Sequence, residues 1–308
     1  MSLAEISGII IHIMKKLIST ILFLFLTAPL CFCFSDFHFS FAPTFSFTYG
    51  ELTELLYGSD GELVSQLDWE QKTLFNIGIN STITLKNFII SGSFDFSVPL
   101  GTSNMYDSDW EDGEKYSLTT HPIVNSKNIS TDAALAYNIK ATQKLTVIPE
   151  IQFNYLYSDF EAGIGSGYRY GRNIRVYGID YNRHSYFIFT GLSIKTELTP
   201  EIFFKTGFFG APWNYQKSFD YHHGVKHPFS SLDLQTGYFT KYKADFSIDF
   251  KIDKTLSLDL FTRLLFGFPD KGLLYSDYNT IEMEKITSQK SGAAIHSIKA
   301  GTSLIFIF

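Results

Sequence analysis

The sequence predicts an all-β fold, a transmembrane antiparallel β-barrel of about ten strands with long extracellular loops. Apolar and polar residues alternate with a period of two in many segments, as expected of strands that face lipid on one side only. The polar connections between these segments alternate between short and long. The 308 residues are 17% aromatic, yet mean hydropathy is only +0.03. A barrel explains both values, because half of each of its strands is polar.

The N-terminal segment has the features of a secretory signal peptide. A continuous apolar run, Leu17 to Phe34, directly follows the basic stretch Met14-Lys15-Lys16. Export signals have this order of basic and apolar regions. We therefore expect residues 1–35 to be an N-terminal extension and signal peptide that is removed, and residues 36–308 to form one outer-membrane barrel domain. A retained N-terminal helix is the alternative.

Both cysteines lie at the end of the apolar run, at Cys31 and Cys33. Cleavage after them leaves a mature chain that has no thiol for catalysis or for a disulfide. Lipid modification of Cys31 is an alternative, but Ala28-Pro29-Leu30 matches the sequence before a lipid-modified cysteine poorly.

The strands are predicted from segments in which aromatic or aliphatic residues occupy one parity. In chain order these segments cover residues 45–49, 75–79, 88–96, 135–139, 145–153, 186–194, 202–209, 242–252, 256–264 and 298–308. The clearest runs from Tyr242 to Ile252, where Lys243, Asp245 and Asp249 lie between apolar residues. The competing fold is a soluble β-sandwich, whose strands average five or six residues and are shorter than these.

The connections predict how the barrel is oriented. Short turns are expected at Lys86-Asn87, 141–143, 198–200 and 253–254, and long polar stretches at 50–72, 99–130, 158–182, 213–238 and 267–294. Outer-membrane barrels have short periplasmic turns and long outer loops. Both ends of the barrel domain are therefore expected on the periplasmic side.

Two acidic stretches in the long connections are candidates for acid–base chemistry. Asp107 and Asp109 are two residues apart, so on an extended segment their side chains share a face about 7 Å apart. Their repulsion raises one of the two pKa values unless cations or hydrogen bonds compensate. Together with Glu111 and Asp112 they are also compatible with a calcium site, or with an ordinary solvated loop.

The second stretch contains Asp220 and His222. An aspartate can accept a hydrogen bond from one imidazole nitrogen and leave the other nitrogen free as a base. His223 and His227 lie nearby, and a metal site is the alternative, although the spacing matches no established ligand motif. Because the mature chain has no nucleophile motif, activated water is the simplest nucleophile.

Four stretches resemble the omptins, which are ten-stranded outer-membrane aspartyl-type endopeptidases that cleave polypeptides near basic residues. They are Val64–Trp69, Asn104–Trp110, His121-Pro122 and Asp220–His222, in the order expected for the family. The first two are the most specific.

The resemblance implies roles for five residues. Asp107 and Asp109 match the family's aspartate pair, and Asp220 and His222 match its Asp–His pair across the cleft, with the attacking water between them. Glu54 matches the glutamate in the pocket for the basic residue before the scissile bond; without the resemblance it reads as a solvated loop carboxylate.

Three departures from the family affect these expectations. Ser218 stands where omptins can carry a second pocket aspartate, so we expect a reduced pocket charge. The connection between Trp110 and His121 is short, which leaves the pocket after the scissile bond unassigned. The basic residue expected for a lipopolysaccharide phosphate is missing, with Asp159 near its place, so lipopolysaccharide dependence is not carried over.

The sequence thus favours an outer-membrane endopeptidase whose active site faces the cell exterior. Its expected partners are polypeptides with basic residues and outer-membrane lipid, with no nucleic acid, no cofactor and no metal, and the barrel is expected to be a monomer. The alternative is a non-enzymatic barrel, an adhesin or narrow channel, whose acidic loops bind cationic partners.

Overall fold

The computed structural model describes residues 37–224, 228–278 and 282–308. The expected signal peptide and His227 lie outside these residues. The described chain is almost entirely strand. Its strands are β1 (Phe37–Tyr57), β2 (Leu63–Leu85), β3 (Phe88–Pro99), β4 (Ser103–Glu111), β5 (Glu114–Tyr137), β6 (Ile139–Lys140), β7 (Leu145–Ala162), β8 (Gly165–Arg169), β9 (Arg172–Val176), β10 (Ile179–Thr199), β11 (Ile202–His222), β12 (Phe229–Gly237), β13 (Lys241–Lys251), β14 (Leu256–Ser276) and β15 (Glu284–Ile307).

These strands close into a barrel, which confirms the predicted fold class. β1 pairs with β2 on one side and with β15 on the other, both antiparallel, so the sheet has no free edge at its ends. β3 and β4 form one wall strand, and so do β12 and β13. The wall therefore has about ten strands, in the order β1, β2, β3/β4, β5, β7, β10, β11, β12/β13, β14 and β15.

The wall strands face lipid on one parity and the barrel interior on the other. On β1, Phe45 and Phe47 are 48% and 52% exposed, whereas Thr44 and Ser46 between them are 2% and 1% exposed. Outward apolar and inward polar residues are the pattern of a membrane barrel. Among the described residues no helix is long and apolar enough to span a membrane.

One end of the barrel has the four predicted short turns. Residues 86–87, 200–201 and 253–255 connect successive wall strands tightly, and the turn after β5 includes the short strand β6. The start of β1 lies at the same end as the end of β15, because the backbones of Phe39 and Phe308 are hydrogen bonded. Both ends of the barrel domain are thus at the short-turn end, as expected.

At the other end the prediction that the site residues lie in loops is wrong. The long polar connections are mostly strand, so Glu54, Asp107, Asp109, Asp220 and His222 lie within β1, β4 and β11. The wall continues beyond the lipid-facing band. There the outward face no longer meets lipid, and the inward face carries apolar core residues in some places and polar cleft residues in others. The period-two hydrophobic signal that identifies a strand is lost there.

The barrel interior is blocked between its two ends. A core that includes Leu52, Trp69, Met105, Tyr181 and Ile295 fills the interior on the long-connection side. Below it, on the short-turn side, lies a polar cavity of about 750 Å³. The residues that line this cavity include none of the predicted site residues. The cleft above the core is therefore separate from the cavity.

Candidate active site

His222 and Asp220 form a hydrogen-bonded pair near the end of β11. The two residues are two positions apart, so both side chains point to the same side of the strand. The distance from His222 Nε2 to Asp220 Oδ2 is 2.5 Å, and the side chains are 23% and 5% exposed. Because an ionised carboxylate only accepts, Nε2 carries the hydrogen and Nδ1 is left to accept a proton.

The environment of His222 favours its protonated form. Burial lowers the pKa of the imidazole, but the hydrogen bond to Asp220 and the charges of Asp220, Asp107 and Asp109 outweigh burial, so the pKa is raised above its ordinary value. The ring also stacks on Phe229, with centroids 4.2 Å apart and planes at 11°. Phe229 thereby limits rotation of the imidazole.

Asp107 and Asp109 lie on one face of β4, which pairs with β2 and β5. Burial, and then the charge of Asp109, raises the pKa of Asp107 to about 7, while His222 and Arg169 oppose this shift. Asp109 has a different environment, because Arg169 Nη2 lies 3.6 Å from its Oδ2. The surroundings of the two carboxyl groups therefore differ: the pKa of Asp107 is raised, and Asp109 has a cation beside it.

The barrel brings these two pairs together from different parts of the wall. β4 and β11 share no pairing, since β5, β7 and β10 separate them on the shorter way around the ring. The charges of Asp107 and His222 nevertheless act on each other. The side chains of the two pairs thus face one another across the interior above the blocking core.

His121 lies on β5, the strand that pairs with β4. It is fully buried, with its Nδ1 2.9 Å from the carbonyl oxygen of Gly163 and its Nε2 3.0 Å from Thr119 Oγ1. The carbonyl can only accept, so Nδ1 donates to it and the Thr119 hydroxyl donates to Nε2. Thr119 is the residue directly opposite Asp107 in the β4–β5 pairing. The His121-Pro122 stretch is therefore next to the aspartate pair.

The Val64–Trp69 stretch builds the floor of the cleft. Leu67 and Trp69 point inward, and the Trp69 ring stacks on Tyr181 at 4.9 Å. On the outward face Asp68 accepts hydrogen bonds from Gln66 and from Thr53 of β1. The inward face of this segment thus packs in the core, and its outward face forms side-chain hydrogen bonds, one of them to the adjacent strand β1.

Glu54 lies on β1 and is 8% exposed, so it is not a solvated loop carboxylate. Its surroundings include two buried residues that the sequence did not single out, Asp233 on β12 and Arg183 on β10. Ser218 pairs with Asp233 on one side and with Arg183 on the other. Ser218 itself carries no charge, but the neighbouring Asp233 adds a carboxyl group that the sequence-based expectation of a reduced pocket charge did not include.

The histidine-rich segment gives no support for a metal site in the part that the structure describes. His223 Nε2 lies 2.9 Å from Asp180 Oδ2, at the outer end of β10. Across the described residues no three His, Cys, Asp or Glu side chains are placed to hold one ion.

The comparisons with known proteins give one family. A model described as the Omptin family matches residues 37–263 of the chain. No curated protein sequence matches the chain.

Among solved structures, the first of the three that follow shares the fold of this chain. The outer membrane protease OmpT from Escherichia coli superimposes with a TM-score of 0.77 at 15% identity, covering 89% of this chain and 98% of that chain. OprG from Pseudomonas aeruginosa gives a TM-score of 0.37 at 8% identity, with coverage of 89% and 97%. The Pseudomonas putida toluene transporter TodX gives 0.32 at 10% identity, with coverage of 89% and 90%.

Proposed function

The chain belongs to the omptin family, and from this premise we propose that it is an outer-membrane endopeptidase that hydrolyses polypeptides near basic residues. The observation that carries the proposal is the His222–Asp220 pair on β11, which faces Asp107 and Asp109 on β4 across the cleft. One pair supplies a base and the other supplies carboxyl groups, which together are sufficient to hold and deprotonate a water molecule.

In the proposed reaction the water lies between Asp107 and His222. As the water oxygen forms a bond to the peptide carbonyl carbon, His222 Nδ1 takes a proton from the water. Asp220 stabilises the imidazolium that results. The carbon–nitrogen bond then breaks as His222 gives this proton to the leaving amine. No cofactor takes part in these steps.

The two aspartates have separate roles in this scheme. Asp107, with its pKa raised to about 7 by burial and by Asp109, holds the water and can donate a hydrogen bond when protonated. Asp109 lies 3.6 Å from Arg169, and its charge is one of those that favour the protonated form of His222. Carboxyl groups whose environments differ in this way commonly divide acid and base roles.

The proposed location is the outer membrane, with the cleft open to the cell exterior. The cleft is at the end of the barrel opposite the short turns, which in outer-membrane barrels is the outer end. Polypeptides are the proposed substrates, with Glu54 in the pocket for a basic residue, and the barrel acts as a monomer in contact with outer-membrane lipid. A narrow channel fits this interior less well, because the core around Trp69 closes it.

The test is hydrolysis by the refolded mature chain in detergent. A fluorogenic peptide that contains Arg-Arg or Lys-Lys should be cleaved, and His222→Ala should remove the activity while the barrel still folds. Chelators and thiol reagents should have no effect. Inhibition by a chelator that zinc reverses would contradict water activation by His222, and failure to cleave any peptide would contradict the proposed activity.

A further inference from the structure

A second group of buried polar side chains lies beside the catalytic pairs. Glu54, Arg183, Ser218 and Asp233 come from β1, β10, β11 and β12, and they are 8%, 1%, 1% and 3% exposed. Ser218 is directly opposite both Arg183 and Asp233 in the strand pairing. We call these four residues the acidic pocket.

The acidic pocket has acceptor atoms without a partner. The side chains of Glu54 and Asp233 lie within hydrogen-bonding reach of each other. Glu54 Oε2 and Asp233 Oδ1 are buried without an N–H or O–H donor in the described part of the chain, and so is Asp220 Oδ1 nearby. Buried polar atoms are almost always hydrogen bonded, so unpaired acceptors in a cleft indicate a missing donor. These oxygens are carboxyl oxygens, and the donor they fit is a cationic group.

Carboxyl groups are crowded in this pocket. Burial, and then the charges of Asp220 and Asp233, raises the pKa of Glu54 well above its ordinary value, and burial also raises that of Asp233. A cation that enters the pocket relieves this repulsion.

Arg183 does not fill the acceptor positions. Its Nη1 donates to the carbonyl oxygen of Ala294 at 2.9 Å, its Nη2 to that of Thr53 at 2.7 Å, and its Nε to the Tyr181 hydroxyl at 2.5 Å. Carbonyl and phenol oxygens thus fix the guanidinium as a wall of the pocket. Its charge partly offsets the carboxyl groups, but it donates no hydrogen bond to Glu54 Oε2 or Asp233 Oδ1.

We propose that Asp233 is the second carboxyl group of the specificity pocket, and that Glu54 and Asp233 together bind the basic side chain before the scissile bond. This inference rests on the proposed function. In this arrangement Asp233 supplies from β12 the carboxyl group that Ser218 does not supply from β11. Arg183 lies in the pocket wall, where Tyr181, Ala294 and Thr53 fix its guanidinium.

The test compares binding of two non-cleavable peptides that differ only in arginine or norleucine before a reduced peptide bond. Calorimetry on the refolded wild-type chain should show a preference for the arginine peptide. Asp233→Ser and the isosteric Asp233→Asn should each weaken this preference about 10- to 100-fold, the value of a hydrogen bond to a charged group.

The matched control moves the carboxylate across the strand pair. The double variant Ser218→Asp/Asp233→Ser keeps the net charge and should restore the preference for arginine. An unchanged preference in Asp233→Ser and Asp233→Asn, or a double variant that stays as weak as Asp233→Ser, would overturn the role of Asp233. Selective binding without hydrolysis of cleavable peptides would leave this inference standing and contradict the proposed function alone.

Discussion

The two halves of the barrel interior both contain charged side chains but arrange them differently. In the half near the short turns, carboxylates lie within salt-bridge distance of lysine or arginine. The pairs are Lys299–Asp95 at 2.8 Å, Lys205–Glu150 at 3.5 Å, Arg263–Asp132 at 3.7 Å and Lys195–Asp249 at 3.9 Å. Each of these four carboxylates thus has a cation beside it.

In the outer half, carboxyl groups lie close to one another. Within the described chain, Glu54, Asp107, Asp220 and Asp233 form no salt bridge with a lysine or arginine, and only Asp220 has an ionic partner, His222. Burial, and then the charges of neighbouring carboxyl groups, raise the pKa values of Glu54, Asp107 and Asp233.

This difference in charge arrangement suggests that the charged residues of the inner half serve stability and those of the outer half serve function. Balanced pairs offset the cost of burying charge, whereas buried like charges with shifted pKa values are typical of functional sites. In the inner half, loss of a charged side chain is thus expected to lower the stability of the barrel but to leave its activity unchanged. The outer half is expected to behave in the opposite way.

The largest expected effect is on catalysis in the outer half. Asp220→Asn should lower kcat by about 10²–10⁴-fold, because the amide no longer stabilises the imidazolium form of His222. It should not lower stability, since removal of this charge relieves repulsion on Glu54 and Asp233. Peptide hydrolysis and a urea unfolding curve measure the two quantities. A loss of activity that accompanies an equal loss of folded barrel would remove the distinction.

The matched change in the inner half is Lys299→Met. It leaves Asp95 buried at 5% exposure without its 2.8 Å partner, and breaking such a pair should cost about 3 kcal/mol of stability. Peptide hydrolysis by the folded fraction should be unchanged. A drop in kcat/KM with unchanged urea stability would show that the two halves are coupled.

The sequence predicted the inner half better than the outer half, for a physical reason. From Tyr242 to Ile252 one strand face meets lipid and the other the polar interior, so alternation reveals the strand. Beyond the lipid band this contrast disappears, and β4 and the end of β11 read as loops. Asp107, Asp109, Asp220 and His222 were still found, because short spacing and family-like motifs mark them.

Asp233 and Arg183 were not found from the sequence. Asp233 is the one charged residue of β12, and Arg183 lies among aromatic and polar residues of β10. Neither has a neighbour at a diagnostic spacing. Their role depends on register, because Ser218 pairs with both. Register between distant segments is set by barrel closure and cannot be read from either segment alone.

A smaller effect is expected in the pH dependence of kcat/KM, which reports groups in the free enzyme. His222 acts as a base only when neutral, and its pKa is raised above 6.5 because the hydrogen bond and charge of Asp220 outweigh burial. Activity should therefore fall as the pH falls through a midpoint above 6.5. Asp107 titrates near this range, so the midpoint belongs to the coupled group. A midpoint below 6.5 would contradict the charge arrangement.

The central claim is that Asp107 and His222, from opposite parts of the wall, act on one water molecule. A double-mutant cycle on kcat/KM with Asp107→Asn, His222→Ala and the double variant tests it most directly. Residues that act as a unit give strongly non-additive losses, so the double variant should lose about as much activity as His222→Ala alone. If the two losses multiply, the residues act independently, and the proposed shared water is wrong.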